Sequence, residues 1–210
     1  MTTLYIWGAG GHGRVVFDCA IAAGYHPEFL DDDPRHHGPN VHPSDHGLER
    51  ASASAAPVHI AIGDNRARAA CFRTATACGL RAATLVHPAA IVSPSATIGD
   101  GTLIMPGAIV NAGARVGRNV IVNSGAIVEH DCVVGDHVHL APRSVLGGGV
   151  TVKAYTLFGI GAVALPGITA GEGVVVGAGA VVIGDVASGL TVAGVPAVAI
   201  SRVIFAGSAR

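Results

Sequence analysis

Residues 122–139 read VNSGAI, VEHDCV and VGDHVH, and they are three of seventeen consecutive hexapeptides that run from Val86 to Val186. The first residue of every hexapeptide is apolar, the fifth is small or β-branched, and Gly, Asp, Asn and Pro crowd the positions between them. A period of six fits neither the 3.6 residues of an α-helical turn nor the two residues of an ordinary strand. It is typical of a hexapeptide-repeat β-helix.

Each hexapeptide supplies one short strand and one turn, so three complete a triangular coil, and seventeen make five coils and two further faces. We expect the first residue to point into the prism and the fifth to lie inside a corner, where only a small side chain fits. At about 4.8 Å per coil the prism is roughly 27 Å long. A chance sandwich rich in Val, Ala and Gly is the alternative, and the unbroken frame disfavours it.

The first 33 residues follow the order of a nucleotide-binding βαβ unit. Residues 3–7 are typical of a buried strand, the glycine-rich Gly8–Gly13 follows, and residues 14–23 are typical of a helix. A second strand over 28–30 ends at the acidic run Asp31–Asp33. Glycines let backbone N–H groups approach a phosphate, and a helix N-terminus adds a favourable dipole.

The next segment is polar and rich in histidine. We interpret residues 34–54 as a solvated loop rather than a metal site, because the spacing of the histidines indicates no convergent geometry. Residues 57–62 predict a third strand, 66–78 a second helix and 81–86 a short strand that leads into the prism.

Three parts of the chain are therefore expected. Residues 1–84 form a small Rossmann-like α/β domain, which is too short for the two halves of a full dinucleotide fold. Residues 85–187 form the all-β prism, and residues 188–210 form a tail that caps its open end.

The composition restricts the classes of function that the chain can have. The chain has 210 residues, half of them apolar, with 30 Gly and a formal charge of −1. This charge argues against a general nucleic-acid binder, and no uninterrupted apolar run reaches the about 20 residues that span a bilayer, so no membrane insertion is expected. The four cysteines form no CxxC pair and no signal peptide precedes the first strand, so we expect reduced thiols in a cytoplasmic protein.

Several motifs accompany the hexapeptide frame: Gly8–Gly13, Phe29-Leu30-Asp31-Asp32, Ile62-Gly63-Asp64-Asn65, Glu129-His130-Asp131-Cys132 and Ala193-Gly194-Val195-Pro196. Together they resemble the bacterial nucleotide-sugar acetyltransferases of the PglD, PerB and NeuD type, over nearly the whole chain. The glycine motif alone would be weak. Its pairing with an uninterrupted hexapeptide domain that carries Glu-His-Asp makes the resemblance specific.

The resemblance implies a left-handed parallel β-helix after the Rossmann-like domain, whereas the general rule for parallel crossovers would predict a right-handed coil. It implies that the first domain binds a nucleotide-activated amino sugar and that acetyl-CoA is the donor, with no metal. It also implies a homotrimer with active sites in the clefts between subunits.

His130 is the candidate catalytic base. It is third in its hexapeptide, which places it at a turn and points it out of the prism. An attacking amine must lose a proton, and histidine suits that task near neutral pH. Asp131 follows directly, and a carboxylate beside an imidazole fixes its tautomer and raises its basicity. The resemblance assigns these two roles to His130 and Asp131; a merely solvated histidine is the alternative.

The resemblance also assigns the binding residues. Those for the nucleotide sugar are Gly10, Gly11, His12, Asp31, Asp32 and Gly63, and those for acetyl-CoA are His139, Gly148, Ile160, Gly177 and Ala178. Asn123 lies in the same layer of turns and is a further candidate near the acetyl group. Hexapeptides eight and eleven share a face, so Gly148 falls one coil above His130. Its N–H is expected to donate to the thioester oxygen, a role compatible with that of a plain turn residue.

The expected function is acetyl transfer from acetyl-CoA to the 4-amino group of a UDP- or GDP-linked 4-amino-4,6-dideoxysugar. Alternatives are O-acetylation of sialic acid and a non-catalytic nucleotide-sugar binding protein, and the intact His130 and Asp131 argue against the latter. NAD binding, with Asp31 on the ribose, is disfavoured by the half-sized domain and by the absence of a second catalytic domain for hydride transfer. The sequence does not choose between the UDP, GDP and dTDP carriers.

Overall fold

The computed structural model describes residues 2–36 and 38–200. An α/β unit comes first, made of β1 (Thr2–Trp7), α1 (Gly11–Ala22), β2 (Tyr25–Leu30), β3 (Val41–His42), α2 (Ser44–Ser54), β4 (Val58–Ile60) and α3 (Asn65–Ala77). Its strands form a parallel sheet in the order β3-β2-β1-β4, and a bridge from Val58 to Ala82 extends the sheet.

The turn from β1 into α1 is tight because glycine permits it. Leu4 and Ile6 of β1 are wholly buried against Val16 of α1. Gly8 has a φ of +114°, and Gly13 lies so close to the Gly8 carbonyl oxygen that a Cβ would overlap it. Only glycine accepts both conditions without strain. The N-terminus of α1 is thereby held at the carboxyl edge of the sheet.

The prediction of a solvated loop over residues 34–54 is wrong for its second half, which forms β3 and α2. The buried side of α2 carries the small residues Ser44, Gly47 and Ala51, so the helix has no bulky apolar stripe that a sequence pattern would detect. Gly47 lies against Leu30, where a Cβ would overlap the leucine side chain. The other predicted elements are present, with ends shifted by up to four residues.

The prism follows as seventeen two-residue strands, stacked in parallel into three faces. Face 1 contains β5 (Leu85–Val86), β8 (Leu103–Ile104), β11 (Ile121–Val122), β14 (His139–Leu140), β17 (Leu157–Phe158) and β20 (Val175–Val176). Face 2 contains β6 (Ile91–Val92), β9 (Ile109–Val110), β12 (Ile127–Val128), β15 (Val145–Leu146), β18 (Val163–Ala164) and β21 (Val181–Val182). Face 3 contains β7 (Thr97–Ile98), β10 (Arg115–Val116), β13 (Val133–Val134), β16 (Thr151–Val152) and β19 (Thr169–Ala170).

The chain visits the faces in the order 1, 2, 3, and the turns between them form three columns, which we name corner 1–2, corner 2–3 and corner 3–1. Strands on one face pair with partners eighteen residues away, as Val110 pairs with Val128 and Val128 with Leu146. The inward positions predicted from the hexapeptide frame are buried, for example Phe158 on a face and Ala126 inside a corner. The apolar core therefore runs along the prism axis.

The fourth residue of most hexapeptides has a positive φ. Gly125 and Gly149 meet this requirement without strain, but Asp131 and His137 adopt φ values of 60° and 62°. Asp is one of the few side chains that tolerate this region, and a non-glycine residue there costs on the order of 1 kcal/mol. Asn119, Arg143 and Tyr155 occupy the same position with positive φ, so this conformation is a general requirement of the turns and not a mark of Asp131 alone.

The three faces differ in what they present outward. The α/β unit covers the first strands of face 1, where Leu103 and Ile121 share a core with Leu4. Face 3 carries mainly threonine and arginine outward. Face 2 is apolar on every strand, through Ile91, Ile109, Ile127, Val145, Val163 and Val181. A continuous apolar strip of this kind marks an interaction surface.

The last described segment continues face 1. β22 (Thr191–Ala193) pairs with β20, and β23 (Val198–Ala199) pairs antiparallel with β22. Val192 and Ala197 pack against the prism core. Residues 201–210 of the predicted cap lie outside the described residues. Among the residues described, no helix is both long and apolar enough to cross a membrane.

Candidate active site

A cleft of about 440 Å³ opens at the carboxyl edge of the parallel sheet. Its lining includes all six residues predicted to bind the nucleotide sugar: Gly10, Gly11, His12, Asp31, Asp32 and Gly63. Because α1 begins at Gly11, unpaired N–H groups and the positive end of the helix dipole face this cleft. The cleft has the chemistry that binds a phosphate or pyrophosphate group.

Asp31, Asp32 and Asp33 line the cleft, and all three already accept hydrogen bonds from the protein. Oδ2 of Asp31 accepts from the Ala9 N–H at 2.6 Å and lies 3.1 Å from His36 Nδ1, and Oδ1 accepts from the Asp33 N–H at 2.8 Å. Asp32 accepts from the Ser44 N–H at 2.8 Å, at the start of α2. Asp31 therefore fixes the glycine-rich loop, and Asp32 anchors α2 beside it.

Two imidazoles lie where the cleft meets face 1. The ring centroids of His12 and His139 are 6.3 Å apart. Burial lowers the pKa of each to about 4, with a smaller contribution from the charge of Arg68. Both rings are therefore neutral at neutral pH. Within the described part of the chain, the buried Nε2 atom of His12 has no hydrogen-bond partner, which makes it a candidate ligand contact.

His130 lies on corner 2–3 with its side chain 63% exposed. Its Nδ1 is 2.9 Å from an oxygen of Asp131, and this hydrogen bond raises the pKa of His130. An ionised carboxylate can only accept, so Nδ1 carries the proton and Nε2 keeps its lone pair. A Cβ built on Gly148 would lie 2.5 Å from that Nε2. The basic nitrogen thus lies directly over the Gly148 backbone, as the hexapeptide frame predicts.

Gly148→Ala is expected to displace the imidazole of His130 and lower kcat by about tenfold to a hundredfold, because small errors in the position of a catalytic group are costly. The thermal midpoint should change little, since the φ of Gly148 is not positive and the atom in the way ends a flexible side chain. Thiol release and differential scanning calorimetry measure the two effects.

Gly149→Ala is the matched control. Gly149 has a φ of +68° and nothing near its Cβ position, so alanine there strains the backbone by about 1 kcal/mol while its methyl group stays clear of the His130 imidazole. The Gly149 N–H, which donates to the His130 carbonyl oxygen at 2.8 Å, is kept by alanine. The control should lose stability and keep kcat. The opposite pattern in the two variants would show that the contact with Gly148 does not position the base.

Apart from Gly148, the residues predicted to bind acetyl-CoA lie in or beside a different column. Asn123, Ile160, Gly177 and Ala178 occupy corner 1–2, with Asn123 two coils from Ile160 and with Gly177 and Ala178 one coil beyond it, and the side chain of Ile160 is exposed. His139 lies beside them on face 1, with Nε2 3.1 Å from Asn123 Nδ2. The column thus combines one exposed apolar side chain, Ile160, with the polar pair Asn123 and His139.

Residues 3–75 match the family model described as the PglD N-terminal domain, and residues 95–130 and 113–148 match the bacterial transferase hexapeptide (six repeats) model. The acetyltransferase domain of PglB from Neisseria gonorrhoeae FA1090 is 39% identical, with 95% of this chain and 100% of that chain covered and a TM-score of 0.89. PerB from Caulobacter crescentus, solved in complex with CoA and GDP-perosamine, is 37% identical, with coverage of 96% and 98% and a TM-score of 0.91. WeeI from Acinetobacter baumannii AYE is 25% identical, with coverage of 95% and 100% and a TM-score of 0.86. No curated protein matches.

The chain belongs to the PglD/PerB family of hexapeptide-repeat acetyltransferases. The predicted fold, a small Rossmann-like α/β domain followed by a left-handed parallel β-helix, is confirmed. The right-handed rule fails here because it describes strands of one sheet joined through a crossover helix, whereas these successive strands lie on different faces. The assignment as an acetyl-CoA-dependent acyltransferase is confirmed as well.

The predicted site residues of this PglD/PerB-family chain do not all meet within one prism. His130 and Gly148 lie on corner 2–3, whereas Asn123, Ile160 and Ala178 lie on corner 1–2. The two corners are opposite edges of face 2. A single copy of the chain therefore does not bring His130 and the Asn123 column together. In the described ranges 2–36 and 38–200, no group of three or more His, Cys, Asp or Glu side chains could hold a metal ion.

Sequence reasoning missed Arg68, which is 1% exposed at the contact between the α/β unit and corner 3–1. A signal was present, since Arg68 falls in the same helical stripe as the buried residues Ala69, Phe72 and Ala75 of α3. A charged side chain within a buried stripe indicates a specific set of partners. Other members of the PglD/PerB family can be examined for this cation.

Proposed function

We propose that the protein transfers the acetyl group of acetyl-CoA to the 4-amino group of a nucleotide-linked 4-amino-4,6-dideoxysugar. The observation that carries the proposal is the 37% identity, over almost the full length of both chains, to PerB with CoA and GDP-perosamine bound. The cleft at the carboxyl edge of the sheet, with its helix N-terminus, supports a diphosphate-linked acceptor. The carrier is UDP or GDP.

In the proposed reaction the amine attacks the thioester carbonyl carbon. The new C–N bond forms, the C–S bond breaks, and the amine proton passes to Nε2 of His130 and then to the departing thiolate of CoA. Asp131 holds the imidazole in the tautomer that leaves Nε2 free and stabilises the imidazolium. Among the described residues no acceptor bonds the Gly148 N–H, so this donor is available to the oxyanion.

The proposed assembly is a homotrimer with its active sites between subunits. Face 2 is apolar along its length, and its two edges carry the separated halves of the site, His130 on one and the Asn123 column on the other. A heterologous contact that closes into a ring would cover the apolar strip and bring unlike corners together in every copy. Cytoplasmic location stays a prediction.

A panel of acceptors tests the function. The purified protein is incubated with acetyl-CoA and UDP-, GDP- or dTDP-linked 4-amino sugars, or with sialic acid, and free thiol is measured. We expect turnover with a UDP- or GDP-linked amino sugar. Turnover with sialic acid alone would replace the proposal by O-acetylation, and no thiol release with any acceptor would favour a non-catalytic binding protein.

Asp131→Asn is expected to move the acid limb of the kcat/KM profile to lower pH. His130 works deprotonated, so activity falls as the pH drops through its pKa, which Asp131 raises by its hydrogen bond and its charge. The amide in Asp131→Asn lacks that charge, so the pKa of His130 should fall. The acid limb of the kcat/KM profile should therefore move to lower pH. The plateau should also drop about tenfold or more because the tautomer is less firmly held.

Thiol-release rates between about pH 5.5 and 9 give both profiles. If the acid limb keeps its position in Asp131→Asn, or moves to higher pH, the titrating group is not His130 paired with Asp131.

A further inference from the structure

Arg68 of α3 is the largest charged side chain enclosed in the described structure, and every donor of its guanidinium group is used. Nε donates to Asn119 O (3.1 Å), Nη1 to Ile62 O and Gly63 O (3.1 Å each), and Nη2 to Asn65 Oδ1 (2.7 Å), His137 O (2.8 Å) and Val138 O (3.3 Å). Two of these acceptors belong to the wall of the sugar-nucleotide cleft, and three belong to corner 3–1.

None of these acceptors is a carboxylate. Burial lowers the pKa of Arg68 to about 10, so the group keeps its charge at neutral pH. The charge of Asp64 offsets part of this lowering of the pKa. Burying a charge whose hydrogen bonds go to carbonyl and amide oxygens is still expensive, and an apolar side chain could pack a helix against a prism without that cost. We therefore expect a role of the Arg68 guanidinium that depends on its hydrogen bonds and that an apolar side chain would not provide.

The Gly63 carbonyl oxygen connects Arg68 to His139 by hydrogen bonds. It lies 3.3 Å from His139 Nδ1, so it accepts from the guanidinium and from the imidazole. On the other side of the ring, Asn123 Nδ2 is 3.1 Å from Nε2. The Ser124 N–H donates to Asn123 Oδ1 at 2.8 Å, which fixes the orientation of the amide and turns its NH₂ group towards His139.

These contacts select one tautomer of His139. Asn123 Nδ2 can only donate, so Nε2 of His139 must accept, and the ring proton lies on Nδ1 and points at Gly63 O. A continuous path of hydrogen bonds thus joins Arg68 to the cleft wall, to His139 and to the coenzyme column on corner 1–2.

We infer that Arg68 is a positioning residue: it holds the Gly63 carbonyl group in place as the acceptor of the His139 Nδ1–H, so that His139 keeps one tautomer and its Nε2 can accept from the Asn123 amide at the edge of the acetyl-CoA column. The tautomer follows from the hydrogen-bond network alone, and only its catalytic consequence rests on the proposed function. One N–H of the Asn123 amide donates to His139 Nε2, and its oxygen accepts from the Ser124 N–H. The second N–H of the amide is then available to a ligand on corner 1–2.

The test is nuclear magnetic resonance of the full chain, deuterated and carrying ¹³C/¹⁵N-labelled histidine. The His139 signals are assigned by their loss in His139→Gln. In the wild-type protein we expect an Nδ1–H, neutral ring from about pH 5.5 to 8.5. In Arg68→Met we expect a mixture of tautomers, and kcat at least tenfold lower in the thiol-release assay.

Arg118→Met is the matched control, because Arg118 lies on the same corner but is exposed and pairs with Asp136. It should keep the wild-type tautomer and kcat. If Arg68→Met does not fold, Arg68→Lys takes its place, since lysine keeps the charge but lacks the planar fork, and the same tautomer mixture is expected.

An Nε2–H ring at His139 in the wild-type protein overturns the inference, as does an unchanged tautomer in the folded Arg68 variant. Failure of the proposed function looks different. In that case no acceptor in the panel releases thiol, while the tautomer of His139 still depends on Arg68 and not on Arg118.

Discussion

His130→Ala is expected to lower kcat at least a hundredfold, within the usual range for the loss of a general base. The imidazole is the group that would take the proton from the amine, and its Nε2 lies over Gly148 with Asp131 on the other nitrogen. Because the side chain is on the surface of the prism, its removal should leave folding and assembly unchanged. Thiol release gives kcat, and light scattering gives the mass.

The matched control is His26→Ala, which removes an exposed imidazole from β2, away from the cleft. That variant should keep wild-type turnover. Added imidazole should restore part of the activity of His130→Ala, since a small base can enter the space that the side chain leaves. Turnover of His130→Ala near the wild-type rate would remove this residue from the mechanism.

Val145→Arg is expected to give a folded monomer with less than about 1% of wild-type activity. Val145 lies in the middle of the apolar strip of face 2, and burying an unpaired guanidinium in an interface costs several kcal/mol. A monomer keeps both corners but separates His130 from the coenzyme column that a neighbouring copy would bring to it. Sedimentation velocity and the thiol assay measure the two losses.

Thr151→Arg places the same charge on face 3, where threonine and arginine already point outward. This control should keep the assembly and the activity. A fully active monomer of Val145→Arg would contradict a site shared between copies. An intact trimer of that variant would show that face 2 is not the contact surface.

The prism could be predicted strand by strand because a single period specifies which side chains point inward. That frame predicts Gly148 one coil from His130, and in the structure a Cβ built at Gly148 would lie 2.5 Å from the imidazole Nε2. Because every coil has eighteen residues, two residues eighteen positions apart lie at the same place on adjacent coils, as Val128 and Leu146 do.

The α/β unit was harder to predict, for two physical reasons. α2 packs by close backbone approach at Gly47, and a small residue leaves no apolar signal. The placement of the unit on the prism depends on Arg68 and Asn65, whose partners are turn carbonyl groups from residues about 50 to 90 positions later. Backbone acceptors have no side-chain identity, so no residue pattern could reveal them.

The unbroken frame of six has a consequence for how such a chain can change in length. Inserting or deleting eighteen residues adds or removes one storey and leaves every later side chain pointing in the same direction. A change of six residues turns everything beyond it by a third of a revolution, so His130 would move from one edge of the tower to another. Related chains can therefore gain or lose whole coils of eighteen residues and keep the same corners. A change of six residues before residue 128 would instead move His130 to a different corner relative to the α/β unit.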